Sequence, residues 1–139
     1  MPTIIVDYLL IFVYLFIFLA DVCMNYKNLT DKERKYDYKT VNGKCDKTLN
    51  DWYRFQGAAG TKMVTTCPPI DRCGAKTPAW LNGSHPTVTE GTVKRKVCIK
   101  TDMDCCEKFF FIDVKNCSSY YIYRLFHPGH CPARYCSTD

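Results

Sequence analysis

The sequence predicts a small, disulfide-rich domain that is mainly β, with long irregular loops and little helix. Three observations support this fold class. The 139-residue chain contains ten cysteines, a number typical of disulfide scaffolds in exported proteins. In its second half, apolar and polar side chains alternate as they do in half-buried strands. The stretches between these runs are rich in Pro, Gly and Thr, which favour turns and loops.

The chain begins with an apolar segment that predicts export. Residues 9–20, LLIFVYLFIFLA, are uninterrupted by any polar side chain, which fits the hydrophobic region of a signal peptide and is short for a membrane span. We therefore predict a cleaved signal peptide over residues 1–20. The alternative is a signal anchor. Lys27 and Lys32 after the run would then hold the remaining chain in the cytosol, a reducing compartment in which ten cysteines are unexpected.

The region after the leader predicts two different kinds of structure. Residues 24–43 are polar and charged, and we expect a mostly irregular arm with a short helical turn at residues 32–36. Residues 51–66, DWYRFQGAAGTKMVTT, contain two β-prone runs around a four-residue connection with glycine at both ends. This connection predicts a hairpin, with Trp52 and Phe55 in the core.

Residues 67–92 predict a loop, because they are rich in Pro, Gly and Thr and lack periodicity. A half-buried strand should follow from Val93. One face of this strand is apolar and the other is basic: Val93, Val97 and Ile99 against Lys94, Lys96 and Lys100.

Two aromatic runs predict the next pair of strands. The segments KFFFIDVK and SYYIYRLF contain the densest apolar material after the leader, and the short connection at residues 116–118 predicts that they form a hairpin. Residues 127–139, HPGHCPARYCSTD, contain too much Pro and Gly for regular structure to be expected. The domain prediction is therefore one disulfide-held module over residues 23–139.

The cysteines are predicted to form five disulfides. Ten cysteines allow about 945 pairings, so their spacing does not give the connectivity. The adjacent Cys105 and Cys106 should reach separate partners, since a bridge between neighbours would bring their Cα atoms too close. The predicted disulfide cysteines are Cys23, Cys45, Cys67, Cys73, Cys98, Cys105, Cys106, Cys117, Cys131 and Cys136.

A zinc site is the alternative use for the last cysteines. His127, His130, Cys131 and Cys136 are ligand types that bind zinc, but their spacing matches no standard finger. The sequence contains no GxSxG, HExxH, phosphate-loop or dinucleotide motif. We therefore predict no enzymatic activity, no cofactor and no metal, and we expect no nucleic-acid partner for an exported chain.

Three Asn-X-Ser/Thr sequons make carbohydrate the predicted functional chemistry. Asn82-Gly83-Ser84 lies in the stretch WLNGSHP, and Asn28-Leu29-Thr30 lies in the polar arm. N-glycosylation is predicted at Asn82 and Asn28. It is not predicted at Asn116, because the middle residue of that sequon, Cys117, is expected to enter a disulfide.

These residues together resemble the uromodulin-type cysteine-rich domain. This family of eight- or ten-cysteine domains is shared by uromodulin, the pancreatic secretory granule membrane glycoprotein and a liver zona-pellucida-domain protein. The resemblance covers about residues 23–136. The motifs that carry it are Trp52-Tyr53-Arg54-Phe55, the glycine turn at residues 57–60, Cys67-Pro68, Arg72-Cys73, Trp80-Leu81-Asn82-Gly83, His85-Pro86, Glu90-Gly91, Cys105-Cys106 and Tyr135-Cys136.

The resemblance implies a non-enzymatic, extracellular glycoprotein module. Domains of this family carry N-glycans that bind bacterial fimbrial adhesins as decoys, and the acceptor of a high-mannose glycan in uromodulin matches Asn82. The implied function is binding or adhesion, with the glycans presented to microbial or extracellular lectins.

Two other functions remain as alternatives. The formal net charge is +5, and the basic face formed by Lys94, Arg95, Lys96 and Lys100, together with the basic arm at residues 27–35, fits a basic secreted effector or weak polyanion binding. The chain could also be a matrix or scaffold piece of a longer mosaic protein.

Overall fold

The computed structural model describes residues 2–139, and within the first helix it describes side chains only at residues 7–17. The chain begins with helix α1 (Pro2–Ala20), and every described side chain of α1 is exposed. No helix in the described part of the chain combines the length and apolarity that a membrane crossing requires. The hydrophobic core therefore lies in the residues that follow α1.

The described residues contain nine strands and four short 3-10 helices. The strands are β1 (Lys27–Leu29), β2 (Asn50–Phe55), β3 (Lys62–Met63), β4 (Thr77–Asn82), β5 (Thr92–Ile99), β6 (Lys108–Asn116), β7 (Tyr121–Phe126), β8 (Ala133–Tyr135) and β9 (Ser137–Thr138). The 3-10 helices are Val22–Met24, Lys32–Arg34, Gly57–Ala59 and Val88–Glu90. The predicted mainly β class is confirmed.

Seven strands form one sheet in the order β1-β2-β7-β6-β5-β4-β8, and β3 pairs with β9 in a small second sheet. The central pairs are antiparallel, whereas β1 pairs with β2 and β8 pairs with β4 in parallel. The core covers one face of the large sheet. Its largest members, Tyr123, Tyr135 and Phe55, are almost completely buried.

A second, smaller cluster lies on the opposite face, which we call the outer face. Trp80 and Val64 pack there against two disulfides, Cys73–Cys136 and Cys98–Cys106. The Trp80 indole Nε1 donates a hydrogen bond of 2.8 Å to the Cys105 carbonyl oxygen. This cluster covers one end of the outer face.

All ten cysteines, which lie within the described range, are paired, so the prediction of five disulfides is confirmed. Cys105 and Cys106 bond to different partners, as predicted. Four of the five bridges join residues at least 38 positions apart, and such long loops give the largest entropic stabilisation in the chain-entropy model. The pairs are Cys23–Cys117, Cys45–Cys131, Cys67–Cys105, Cys73–Cys136 and Cys98–Cys106.

The polar arm is fixed to the domain by a buried ion-pair cluster. The two terminal guanidinium nitrogens of Arg34 donate to the Asp46 carboxylate at 2.8 and 2.7 Å, and the backbone N–H of Tyr135 donates to the same group at 2.8 Å. Burial lowers the pKa of Arg34, whereas the hydrogen bond to Asp46 and the negative charge of Asp46 raise it. The raising effects are the larger, so the pKa of Arg34 lies above its ordinary value. Arg134 donates to Asp31 at 3.1 Å. These contacts hold the arm against β8.

Three predictions about local structure are wrong. The runs around Gly57 and Gly60 do not form a hairpin, because β2 pairs with β1 and β7 while β3 pairs with β9. Residues 67–92 are not only loop, since they contain the almost fully buried strand β4. Residues 127–139 contain β8 and β9, and every residue of β8 is buried.

The arm contains more regular structure than the sequence predicts, because it includes β1 in addition to the predicted helical turn, which appears as Lys32–Arg34. Of the two expected core aromatics, Phe55 is buried, whereas Trp52 is only half-buried and Tyr53 takes the core position beside Phe55. The predictions for β5 and for the β6–β7 hairpin are confirmed.

Candidate functional site

Asn82 is the last residue of β4 and is exposed on the outer face of the sheet. In the β4–β5 register, Asn82 lies opposite Lys96, and Trp80 lies opposite Cys98. The Asn82 amide nitrogen Nδ2, the atom to which an N-glycan is attached, donates to Cys98 Sγ at 3.4 Å. The Asn82 Nδ2 atom therefore lies over β5.

The turn after Asn82 is fixed by Arg95. Gly83 and Ser84 are exposed, and the Arg95 Nε donates to the Ser84 carbonyl oxygen at 2.8 Å. A second guanidinium nitrogen of Arg95 lies 3.8 Å from a carboxylate oxygen of Glu90. The hydrogen bond from Arg95 uses the backbone carbonyl of Ser84 and not its hydroxyl. The exposed Ser84 therefore keeps its sequon hydroxyl free of this bond.

His85 anchors the other end of the same turn. Its Nε2 lies 2.8 Å from the Tyr123 hydroxyl, and that hydroxyl oxygen also accepts a 3.0 Å hydrogen bond from the backbone N–H of Met63. The Tyr123 hydroxyl hydrogen is therefore available to donate to a neutral His85. Burial is the main cause that lowers the pKa of His85 from 6.5 to about 4, and the charges of Lys62 and Arg95 lower it further.

Asn28 lies on the edge strand β1 and is also exposed. It is the register partner of Arg54 on β2, whose guanidinium carbon lies 3.9 Å from the ring centroid of Tyr120. Arg54 also donates to the Tyr26 hydroxyl at 3.0 Å. This stacked group fixes the surface next to Asn28 while leaving the asparagine accessible.

Asn116, the third sequon asparagine, is in a different environment. Its amide nitrogen donates to the Pro86 carbonyl oxygen at 3.0 Å, and its amide oxygen accepts from the Ser118 backbone N–H at 2.8 Å. The middle residue, Cys117, forms a disulfide with Cys23. Both polar atoms of this half-buried amide are therefore engaged, and the absence of a glycan at Asn116 stays a prediction.

The structure places Asn82 and Asn28 on the same outer face, with four strands between β1 and β4. It also exposes two large aromatic side chains on that face, Phe109 at 57% and Phe111 at 54%. Their exposure does not follow from the apolar density of the run, which on its own suggests core material. The available signal was the period-2 alternation of β6, which puts Phe110 and Ile112 on the core side and their neighbours outside.

The sulfur atoms proposed for the zinc alternative are in disulfides, Cys131 with Cys45 and Cys136 with Cys73. His127 Nε2 lies 3.9 Å from Cys131 Sγ. In the described range, Cys45, His127 and Cys131 group their potential ligand atoms closely. However, two of these atoms are bonded to each other and are not thiolates, so the structure does not assemble the predicted alternative.

The basic face is partly neutralised by acidic neighbours. Lys94 contacts Asp113 at 2.8 Å, and Lys27 contacts Asp51 at 3.3 Å. Arg95, as described above, is engaged by the Ser84 carbonyl and Glu90. These contacts lower the local positive potential that polyanion binding would require.

Comparison with known proteins places this arrangement in a family. Residues 53–137 match the family model of the uromodulin-like, eight-cysteine-type domain. The chain belongs to the uromodulin-like domain family. Mouse (Mus musculus) uromodulin is 42% identical over 118 residues, which cover 84% of this chain and 18% of that protein. The resemblance inferred from the sequence motifs is thereby confirmed.

The chain is also similar to pancreatic secretory granule membrane glycoproteins. The pancreatic secretory granule membrane major glycoprotein GP2 from dog (Canis lupus familiaris) is 39% identical over 118 residues, covering 84% of this chain and 23% of the relative. The human (Homo sapiens) protein of that name is 36% identical over 118 residues, with coverages of 84% and 22%. The chain thus spans about a fifth of the length of the curated relatives it matches.

Proposed function

We propose that this chain is a non-enzymatic, secreted binding module that presents N-linked glycans at Asn82 and Asn28 to microbial or extracellular lectins. The observation that carries the proposal is the environment of Asn82. The residue is exposed at the end of a buried strand, and Arg95 holds the following Ser84 in an exposed turn. An N-linked glycan is bulky and has to lie at the surface, and the disulfide-held sheet supports a sugar attached there.

Secretion is the second part of the proposal. The described side chains of α1 are exposed and apolar from Tyr8 to Ile17, and none of them belongs to either core cluster. Removal of residues 1–20 as a signal peptide would therefore take no described side chain of α1 out of either core cluster. The five disulfides support an oxidising compartment. One set of relatives is named as a glycoprotein of the secretory granule membrane, which is consistent with this route.

The experiment combines mass and lectin binding on protein secreted from cells that retain oligomannose glycans. Intact mass before and after enzymatic deglycosylation gives the cleavage site and the glycan count. We expect cleavage near Ala20 and glycans at Asn82 and Asn28, with Asn116 unmodified. Binding to an immobilised mannose-specific lectin should disappear after deglycosylation.

Matched variants measure the share of lectin binding that comes from the Asn82 glycan. Asn82→Gln and Ser84→Ala should each remove one glycan and reduce lectin binding, whereas Ser84→Thr keeps the sequon and should bind like the unchanged protein. An Asn82 without sugar, or lectin binding that persists after complete deglycosylation, would contradict the proposal.

A further inference from the structure

Two exposed phenylalanines on the outer face of β6, which we call the aromatic corner, have rings that are nearly perpendicular to each other. The ring centroids of Phe109 and Phe111 are 6.2 Å apart and the rings are inclined by 84°. The ammonium of Lys96 on β5 lies 4.3 Å from the Phe109 ring centroid. Two large apolar side chains on one strand, both more than half exposed, form an aromatic surface that needs a functional explanation.

The strand register aligns this corner with Asn82. Asn82 pairs with Lys96 across β4 and β5, and Lys96 pairs with Phe111 across β5 and β6. Directly opposite residues point to the same face of a sheet, so these three side chains form one row. With neighbouring strands about 4.8 Å apart, Asn82 and Phe111 are separated by about 10 Å, a distance that two linked pyranose rings can span.

The position of the Asn82 side chain also supports this alignment. Its Nδ2 contacts Cys98 Sγ at 3.4 Å, and Cys98 is the register partner of Phe109. A sugar attached to Nδ2 would therefore begin above β5, the strand next to the phenylalanines. A glycosylated amide nitrogen keeps one hydrogen, so the contact with the sulfur is compatible with modification.

We propose that Lys96, Phe109 and Phe111 form a platform on which the first two N-acetylglucosamine residues of the Asn82 glycan stack. The inference rests on the proposed function in one respect, because it requires a glycan at Asn82. The C–H bonds on one face of a pyranose ring carry partial positive charge and pack against the negative face of an aromatic ring. The Lys96 ammonium can donate hydrogen bonds to sugar hydroxyl or acetamide oxygens.

The platform gives the glycan a defined direction. With its core held against β5 and β6, the outer mannose residues project from the middle of the outer face. A lectin then meets a partly preorganised ligand, and less conformational entropy is lost on binding. The stacked core is also shielded from enzymes that cut between the two N-acetylglucosamine residues.

The test uses an endoglycosidase of this kind on the folded, secreted protein and measures how fast it cleaves the oligomannose glycan at Asn82. Mass spectrometry of the Asn82 peptide gives the cleaved fraction at each time. The double variant Phe109→Ala/Phe111→Ala should be cleaved about thirtyfold faster than the unchanged protein, the factor expected for loss of two aromatic stacking contacts that are each worth about fivefold. Phe109→Tyr/Phe111→Tyr keeps the ring faces and should retain the slow rate. Met103→Ala, a control at another exposed apolar side chain, should also leave the rate unchanged.

A second measurement uses the unchanged protein alone. Protons of the first two sugars should show upfield ring-current shifts in the NMR spectrum of the folded protein and lose them on denaturation. Equal cleavage rates in the folded unchanged protein and the alanine double variant, or sugar protons at their free-glycan shifts, would overturn the platform. Such a result with Asn82 occupied would leave the proposed glycan display standing. An unoccupied Asn82 would overturn both proposals.

Discussion

The partly buried contact between His85 and Tyr123 predicts that the domain loses stability in mild acid. The His85 ring lies 4.4 Å from the Tyr121 ring and accepts the Tyr123 hydroxyl hydrogen through Nε2. Protonation would replace this acceptor with a second N–H donor and place a positive charge near Lys62 and Arg95, the two cations that already lower its pKa. The folded state therefore favours neutral His85.

The sign and size of the effect follow from the two pKa values. The ordinary pKa of 6.5 applies to the unfolded chain, and the folded protein binds the proton only below about 4. Stability from neutral His85 is therefore present above pH 6.5 and is lost as the pH falls from 6.5 toward 4, since the unfolded chain binds more protons in that range. At about 1.4 kcal/mol per pKa unit the loss is at most about 3.5 kcal/mol, and solvent screening of the half-buried ring reduces it to about 2 kcal/mol.

Guanidinium unfolding with the disulfides intact, compared between about pH 7.5 and about pH 4.5, measures this loss. The control is His85→Gln, whose side-chain carbonyl can accept the Tyr123 hydrogen without titrating in this range. The unchanged protein should lose about 2 kcal/mol more than the variant over the interval. If both proteins show the same pH dependence, the assigned role of His85 is wrong.

Two further predictions concern stability at neutral pH and use the same unfolding assay. Asp46→Asn removes the buried carboxylate of Arg34 and leaves only the more exposed carboxylate of Asp31, 3.4 Å away, so it should cost about 3 kcal/mol. Asp113→Asn removes a partly exposed pair and should cost less than about 1 kcal/mol. Similar costs would contradict the assigned burial. Gly60 has φ +80°, and an added Cβ would overlap the backbone near the end of β9. Gly60→Ala should therefore cost more than Gly91→Ala, for which φ is +68° and no atom lies within 4 Å of the added Cβ. An equal loss would refute the steric argument.

The sequence predicted three strands of the large sheet in which alternation or aromatic density is visible. Alternation from Val93 and the two aromatic runs predicted β5, β6 and β7, and these strands pair consecutively as antiparallel neighbours. The cysteine count predicted a domain held by five disulfides, and the sequence motifs identified the family before any contact was known. The sequons are likewise a property of three consecutive residues, so they were readable without the fold.

The tertiary structure alone decided the outer strands and the surface around Asn82. Strand β8 has only three residues, too few for a period to be visible. It forms because distant segments, β4 and the Arg34–Asp46 pair, satisfy its polar groups and bury it. The cysteine pairing depends on the same long-range contacts. The exposure of Phe109 and Phe111 depends on which face of β6 packs against the core. Contacts with strands that are distant in the sequence determine that face.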